Sequence, residues 1–168
     1  MCRALNSVLA LTAAAGVTGF VGMSSRPFSP ASVEGVWCPT EVTITGPGAR
    51  TITPVQPSLA IITAKHYSRV EIHSSAPRPN VRNAAVATAE ELRQAWGPVV
   101  AEAGTYETSA GGTLTLHPVV AKSPATTEPG TFFAYRYRVA GDTLWLTPQR
   151  DHRGAVANPP TIKLTRVE

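Results

Sequence analysis

The sequence predicts an all-β domain in which eight antiparallel strands close into an up-and-down barrel, with one helix inserted between strands three and four. Eight segments carry the apolar or alternating pattern of strands. The connections between them fall into two length classes. The short ones are residues 65–66, 109–112 and 140–142, and the long ones are residues 46–56, 74–103, 122–130 and 150–160. In a meander of antiparallel strands, successive connections alternate between the two ends, so the short connections lie at one end and the long ones at the other. This arrangement is typical of a barrel with a closed base and an open mouth.

Residues 1–25 are predicted to be a secretory signal peptide that is not part of the fold. Arg3 supplies the positive start, and residues 4–25 carry no charge and include an apolar run. A membrane anchor is the alternative, because the run is long enough to span a bilayer, but its Gly, Ser and Thr content favours the signal peptide. Residues 26–32 read as a linker and residues 33–168 as the barrel. We therefore expect export, to the periplasm or the medium, without stable membrane insertion after cleavage.

The strands are assigned in order along the chain. The first covers residues 36–44, where Pro39 indicates a bulge. The other seven are residues 59–64, 67–73, 105–108, 113–120, 132–139, 143–147 and 161–167. In the third strand Ser68, Val70 and Ile72 share one face, which we expect to point inward. The opposite face holds Tyr67, Arg69, Glu71 and His73, and we expect it to point outward.

One segment has the pattern of a helix. Thr88 is a good N-cap, and Glu91 three residues later completes a capping box. Apolar residues then recur at helical spacing up to Val99, although Pro98 should kink or end the helix.

The apolar registers of the strands predict a lumen that binds a ligand. The residues expected to line it are Ile44, Ile62, Val70, Ile72, Trp96, Tyr106, Leu116, Phe133, Tyr135, Tyr137, Leu146 and Ile162. Tyrosine suits such a site because it combines a large apolar face with one hydroxyl that can orient a ligand. Arg136 and Arg138 fall on the opposite registers and are expected outside.

Several motifs resemble bacterial lipocalin-like domain proteins, an exported group with calycin-type barrels. The resemblance covers about residues 33–168. The segments that carry it are Gly35-Val36-Trp37, Lys65-His66-Tyr67-Ser68, residues 88–96, residues 103–107, residues 117–122 and residues 142–147. By this resemblance Trp37 closes the base of the barrel and Arg166 covers it. The Thr-Asp-Tyr motif of the classical lipocalins and their helix after the last strand are absent from the sequence, so the resemblance implies a fold and not a ligand.

The chain carries no motif of a nucleotide-binding loop, a nucleophile elbow or a zinc-binding helix. Its 15 basic residues are spread along the chain among 11 acidic residues and form no basic stripe, which argues against a nucleic-acid partner. His66 and His73 are too far apart along one strand to share an ion, and we expect neither a metal nor a cofactor. Cys38 is expected to be a small buried side chain.

Five arginines fall in the long connections at the mouth: Arg78, Arg82, Arg93, Arg150 and Arg153. They are expected to form a solvated rim, and the alternative is a basic rim that steers an anionic amphiphile, such as a fatty acid, toward the mouth.

The leading hypothesis is non-catalytic binding of a small, largely apolar or amphiphilic ligand in the barrel. The alternative is an isomerase or cyclase that folds an apolar substrate inside the barrel, with Tyr135 or Tyr137 as general acid. A third possibility is a filled barrel that serves as an interaction module. The sequence leaves the oligomeric state open.

Overall fold

The computed structural model describes residues 32–168, so the predicted signal peptide and residues 26–31 of the predicted linker lie outside the described residues. The strands of the described part are β1 (Gly35–Ile44), β2 (Arg50–Ile52), β3 (Leu59–Ile62), β4 (His66–Ile72), β5 (Val99–Thr108), β6 (Thr113–Ala121), β7 (Phe133–Ala140), β8 (Thr143–Asp151), β9 (Gly154–Ala155) and β10 (Thr161–Arg166). A helix, α1 (Ala89–Trp96), precedes β5, and a 3₁₀ helix, Pro124–Thr127, precedes β7.

Eight of these strands form a closed antiparallel barrel. They follow each other in the order β1, β3, β4, β5, β6, β7, β8 and β10, and β10 pairs with both β8 and β1 to close the ring. The two short strands are additions at its rim: β2 extends the pairing of β1, and β9 pairs with the end of β8. The prediction of an all-β, eight-stranded, up-and-down barrel is confirmed.

The two length classes of connection lie at opposite ends of the barrel. The tight turns after β3, β5 and β7 form the base, together with the start of β1 and the end of β10. The long connections after β1, β4, β6 and β8 form the mouth, and they contain β2, α1, the 3₁₀ helix and β9. The connection lengths therefore predicted correctly which strand ends form the base of the barrel and which form its mouth.

The predicted position of the helix needs correction. α1 lies after the fourth strand, between β4 and β5, and not between strands three and four. The short β2, which the sequence analysis did not find, accounts for the difference. β5 also begins at Val99, six residues before the predicted start at 105, because Gly97 caps the helix and Pro98 prevents its continuation. The capping box of Thr88 and Glu91 is confirmed.

Trp37 and Arg166 close the base as the resemblance implied. The indole of Trp37 is completely buried among Leu114, Leu144 and Leu164, and its Nε1 donates to the carbonyl oxygen of Val33 at 2.8 Å. The guanidinium carbon of Arg166 lies 4.1 Å from the centroid of the Trp37 rings. This stacking covers an apolar plug with a solvated cation.

Two further sequence predictions concern the walls of the barrel. The register of β1 against β10 shifts between Pro39 and Glu41, which confirms the predicted bulge. Arg136 and Arg138 are exposed on the outside, where the guanidinium carbon of Arg138 lies 3.5 Å from the centroid of Trp145 on the neighbouring strand. Cys38 is buried, as expected.

Candidate functional site: a buried charge cluster beneath a mouth cavity

The inward face of β4 is the opposite of the one predicted. Tyr67 and Glu71 are buried and Arg69 is nearly so, whereas Val70 is 49% exposed on the outer surface. The alternation was recognised correctly, but the charged face points inward. The physical reason is pairing: Arg69 lies directly opposite Glu102 of β5, so two charges that would be costly alone neutralise each other inside the barrel.

Glu102 is the more deeply buried of the two carboxylates, with a side chain that is 3% exposed. Both Nε and Nη2 of Arg69 lie 3.0 Å from its Oε1, and the hydroxyl of Tyr67 donates to the same oxygen at 3.0 Å. A carboxylate with three such donors is well compensated, and Arg69 is held in one orientation by the forked contact.

Glu71 has a longer contact with Arg69 than Glu102 has. Its Oε1 lies 3.5 Å from Nη1 of Arg69, and its Oε2 lies 2.9 Å from Nε2 of His73. The Glu71 side chain is 8% exposed, whereas the His73 side chain is 59% exposed. Burial alone would raise the pKa of Glu71, but the hydrogen bond to His73 and the charge of Arg69 outweigh it and hold this pKa below its ordinary value. Glu71 is therefore ionised at neutral pH.

Tyr135 completes the group from β7. The guanidinium carbon of Arg69 lies 5.8 Å from the centroid of the Tyr135 ring. Burial raises the pKa of both Tyr67 and Tyr135, so both phenols stay protonated. Burial disfavours the charged form of Arg69, but Tyr135, Glu71 and Glu102 more than compensate, and the pKa of Arg69 is raised. We call Tyr67, Arg69, Glu71, Glu102 and Tyr135 the buried charge cluster.

A cavity of about 430 Å³ opens at the mouth beside this cluster. We call it the mouth cavity. Its lining comes from β1, β2, the loop before β3, the end of β4 with the residues that follow it, and the start of β10 with the residue before it. The residues that line it are Pro39, Val42, Arg50, Ile52, Val55, Gln56, Ser58, Glu71, Ile72, His73, Ser74, Ser75, Pro160 and Ile162. Glu71 is thus the member of the charge cluster that reaches the cavity.

A second cavity, of about 330 Å³, lies at the base. Tyr106 and Tyr137 line it together with Glu34 and Thr108. The hydroxyl of Tyr106 donates to the carbonyl oxygen of Thr63 at 2.7 Å. This cavity is smaller than the mouth cavity, and it is lined by the segment before β1, the turn after β3 and residues of β5 and β7.

The residues predicted to line a ligand site are divided among several places. Ile72 and Ile162 line the mouth cavity, and Tyr106 and Tyr137 line the base cavity. The other eight line neither cavity. Ile62, Leu116, Tyr135 and Leu146 are buried in the core, Phe133 packs against the core, and Ile44 lies half-buried at the end of β1. Val70 and Trp96 are exposed, Trp96 by 56%. Their roles in binding remain predictions.

Sequence reasoning missed most of the mouth cavity. Ile52, Val55 and Gln56 lie in a segment assigned to a long connection, and Glu71 was placed outside. One signal was available: Arg69, Glu71 and Glu102 bring opposite charges together on neighbouring strands of a charge-poor chain. Opposite charges directly across a strand pair attract each other, and the attraction is stronger where water is excluded.

The histidines do not gather. His73 contacts Glu71, and the ring of His152 lies 6.4 Å from that of Phe133. Among residues 32–168 no group of three or more His, Cys, Asp or Glu side chains is arranged to hold a metal ion. The same part of the chain contains no helix that is long and apolar enough to cross a membrane.

Fold and site together define a small closed β-barrel with a packed core around Trp37, a cavity at the mouth and a smaller one at the base, compatible with a lipocalin-like fold. No family model matches the chain, and no curated protein matches it.

The lowered pKa of Glu71 makes a prediction about acid stability. A carboxylate with a lower pKa in the folded state adds stability that is complete above its ordinary value of 4.5 and is lost as the pH falls through the lowered value. We expect Glu71→Gln to flatten the dependence of unfolding free energy on pH below 4.5, measured by urea denaturation across pH. Glu107→Gln, at an exposed position of β5, is the matched control. Equal slopes for Glu71→Gln and the unchanged protein would contradict the assignment.

Proposed function

We propose that the protein binds a small, largely apolar ligand in the mouth cavity, without catalysis. The observation that supports this is the cavity itself: about 430 Å³, open at the end of the barrel that carries the long connections. Its size falls in the range of small-molecule sites, and such sites are mostly apolar with a few placed polar groups.

The distribution of side chains agrees with such a site. Val42, Ile52, Val55 and Ile162 supply apolar surface, and Glu71 supplies one buried polar group that can orient a ligand. The core around Trp37 is packed, and the cavity at the base is smaller and has a more polar lining than the mouth cavity. A ligand would therefore enter from the mouth and rest above the buried charge cluster.

The alternative of an isomerase or cyclase has less support. Tyr135 is buried in the core against Arg69 and does not line the mouth cavity, and Tyr137 lines the cavity at the base. Neither phenol is placed to donate a proton to a molecule in the mouth cavity. We also propose, from the N-terminal sequence, that the protein is exported.

A cavity-filling variant tests the proposal. N-phenyl-1-naphthylamine is uncharged at neutral pH and fluoresces in apolar surroundings, and we expect saturable binding of one molecule per chain. Val55→Trp should weaken this binding at least about tenfold, because losing about 60 Å² of apolar contact costs about 1.4 kcal/mol. Fluorescence titration gives both dissociation constants.

The matched control is Val86→Trp, at a position that is 78% exposed and does not line the cavity. It should bind the dye as the unchanged protein does. Absence of saturable binding to the unchanged protein would overturn the proposed function. Equal weakening by both variants would show that the dye does not occupy the mouth cavity.

A further inference from the structure

We propose that the ligand of the mouth cavity is an amphiphile with a cationic amine head group, for which Glu71 is the counter-ion. The inference rests on the proposed function, since it concerns the same cavity. It names the charge of the ligand, which the size and apolar lining of the cavity do not.

The first argument is the charge balance of the buried charge cluster. Two carboxylates, Glu71 and Glu102, face one guanidinium, that of Arg69. His73 contributes a positive charge only when it is protonated. With His73 neutral, the cluster therefore holds one negative charge in excess, in surroundings where charge is weakly screened.

The second argument is how Arg69 divides its contacts. Its Nε and Nη2 both lie 3.0 Å from Glu102, whereas Nη1 lies 3.5 Å from Glu71. Glu102 also accepts from Tyr67 and does not line the cavity. The excess charge is thus located on Glu71, which is the carboxylate that reaches the cavity.

The third argument is that the remaining partner of Glu71 can be replaced. His73 lies on the same cavity wall, two residues further along the chain, and its side chain is largely exposed. A ligand ammonium can form the same contact with Glu71 while its alkyl part lies on Val42, Ile52 and Ile162. A charge-assisted contact of this kind is stronger than one between neutral groups.

Arg50 is the cation that would favour the opposite ligand. It lines the cavity too, but it is exposed on β2, and its Nη1 donates to the carbonyl oxygen of Gly48 at 3.5 Å. Water screens it well, so its attraction for a carboxylate is small compared with that of the buried Glu71 for an amine.

Three ligands of equal chain length test the proposal: octylamine, octanol and octanoate. The affinity of each for the full chain at neutral pH is measured by calorimetric titration and by displacement of N-phenyl-1-naphthylamine. We expect octylamine to bind about tenfold or more tightly than octanol, since a hydrogen bond between charged groups is stronger than one that involves a neutral hydroxyl. Octanoate should bind most weakly. Octanoate binding as tightly as octylamine would overturn the proposal.

Glu71→Gln should remove most of the preference for octylamine over octanol, and Glu107→Gln should leave that preference as it is in the unchanged protein. The ranking on the unchanged protein decides the question even if the substitution at Glu71 perturbs folding. If octanol and the dye bind but octylamine is no better than octanol, the head-group inference fails and the proposed function stands. If none of the four compounds binds, both fail.

Discussion

Arg69→Met should lower the free energy of unfolding by about 3–5 kcal/mol, because it leaves the buried carboxylates of Glu71 and Glu102 without their permanent cation. Urea denaturation at neutral pH measures it as a lower midpoint with an unchanged slope. The loss should shrink as the pH falls, since protonation removes the uncompensated charges. The double variant Arg69→Met/Glu102→Gln should recover much of the stability of the unchanged protein.

Arg138→Met is the matched control, because Arg138 is exposed and stacks on Trp145 at 3.5 Å. A cation–π contact at an exposed site contributes about 0.5–1 kcal/mol, so the control should lose no more than that. Equal losses for the two arginines, or a loss at Arg69 that does not change with pH, would contradict the assignment of a buried charge cluster.

Trp37→Ala should destabilise the barrel by about 3–5 kcal/mol, the usual cost of truncating a large buried aromatic side chain. It removes the plug of the base, leaves Leu114, Leu144 and Leu164 beside a void, and takes away the ring on which Arg166 stacks. Thermal and urea unfolding both report the change.

The control for this truncation is Trp96→Ala, at the end of α1, where the side chain is 56% exposed. A surface substitution of this kind usually changes stability by about 0.5 kcal/mol or less. If Trp37→Ala were as mild as Trp96→Ala, the side chain of Trp37 would not be part of a packed core.

The fold was predictable because short and long connections alternate along the chain, as they do when successive antiparallel strands join at opposite ends of a barrel. Three short turns and four long connections place the strand ends without any knowledge of the side chains. Trp37 and Arg166 were assigned from a resemblance in sequence, and their stacking at 4.1 Å agrees with it. The bulge at Pro39 followed from the missing amide hydrogen of proline.

The site was less predictable, for a physical reason. Alternation in β4 shows which residues share a face, but not which face is inside. Because Val70 is apolar, its face of the strand was predicted to point inward. The pairing of Arg69 with Glu102 places the opposite, charged face inside the barrel, and Val70 is exposed. Glu102 can pair with Arg69 because β5 begins at Val99. In the sequence, Val99 continues the apolar spacing of the predicted helix, so the start of the strand was predicted at residue 105. A strand of three residues, such as β2, leaves too short a pattern to recognise.

The central claim is that a ligand lies inside the mouth and not on the outer wall, where Leu59, Ile61 and Val70 form an exposed apolar surface. The most direct measurement is intermolecular NMR cross-relaxation between bound N-phenyl-1-naphthylamine and the methyl groups of the protein. The account predicts cross-peaks to Val42, Ile52 and Ile162. Cross-peaks to Leu59, Ile61 and Val70 in their place would contradict it.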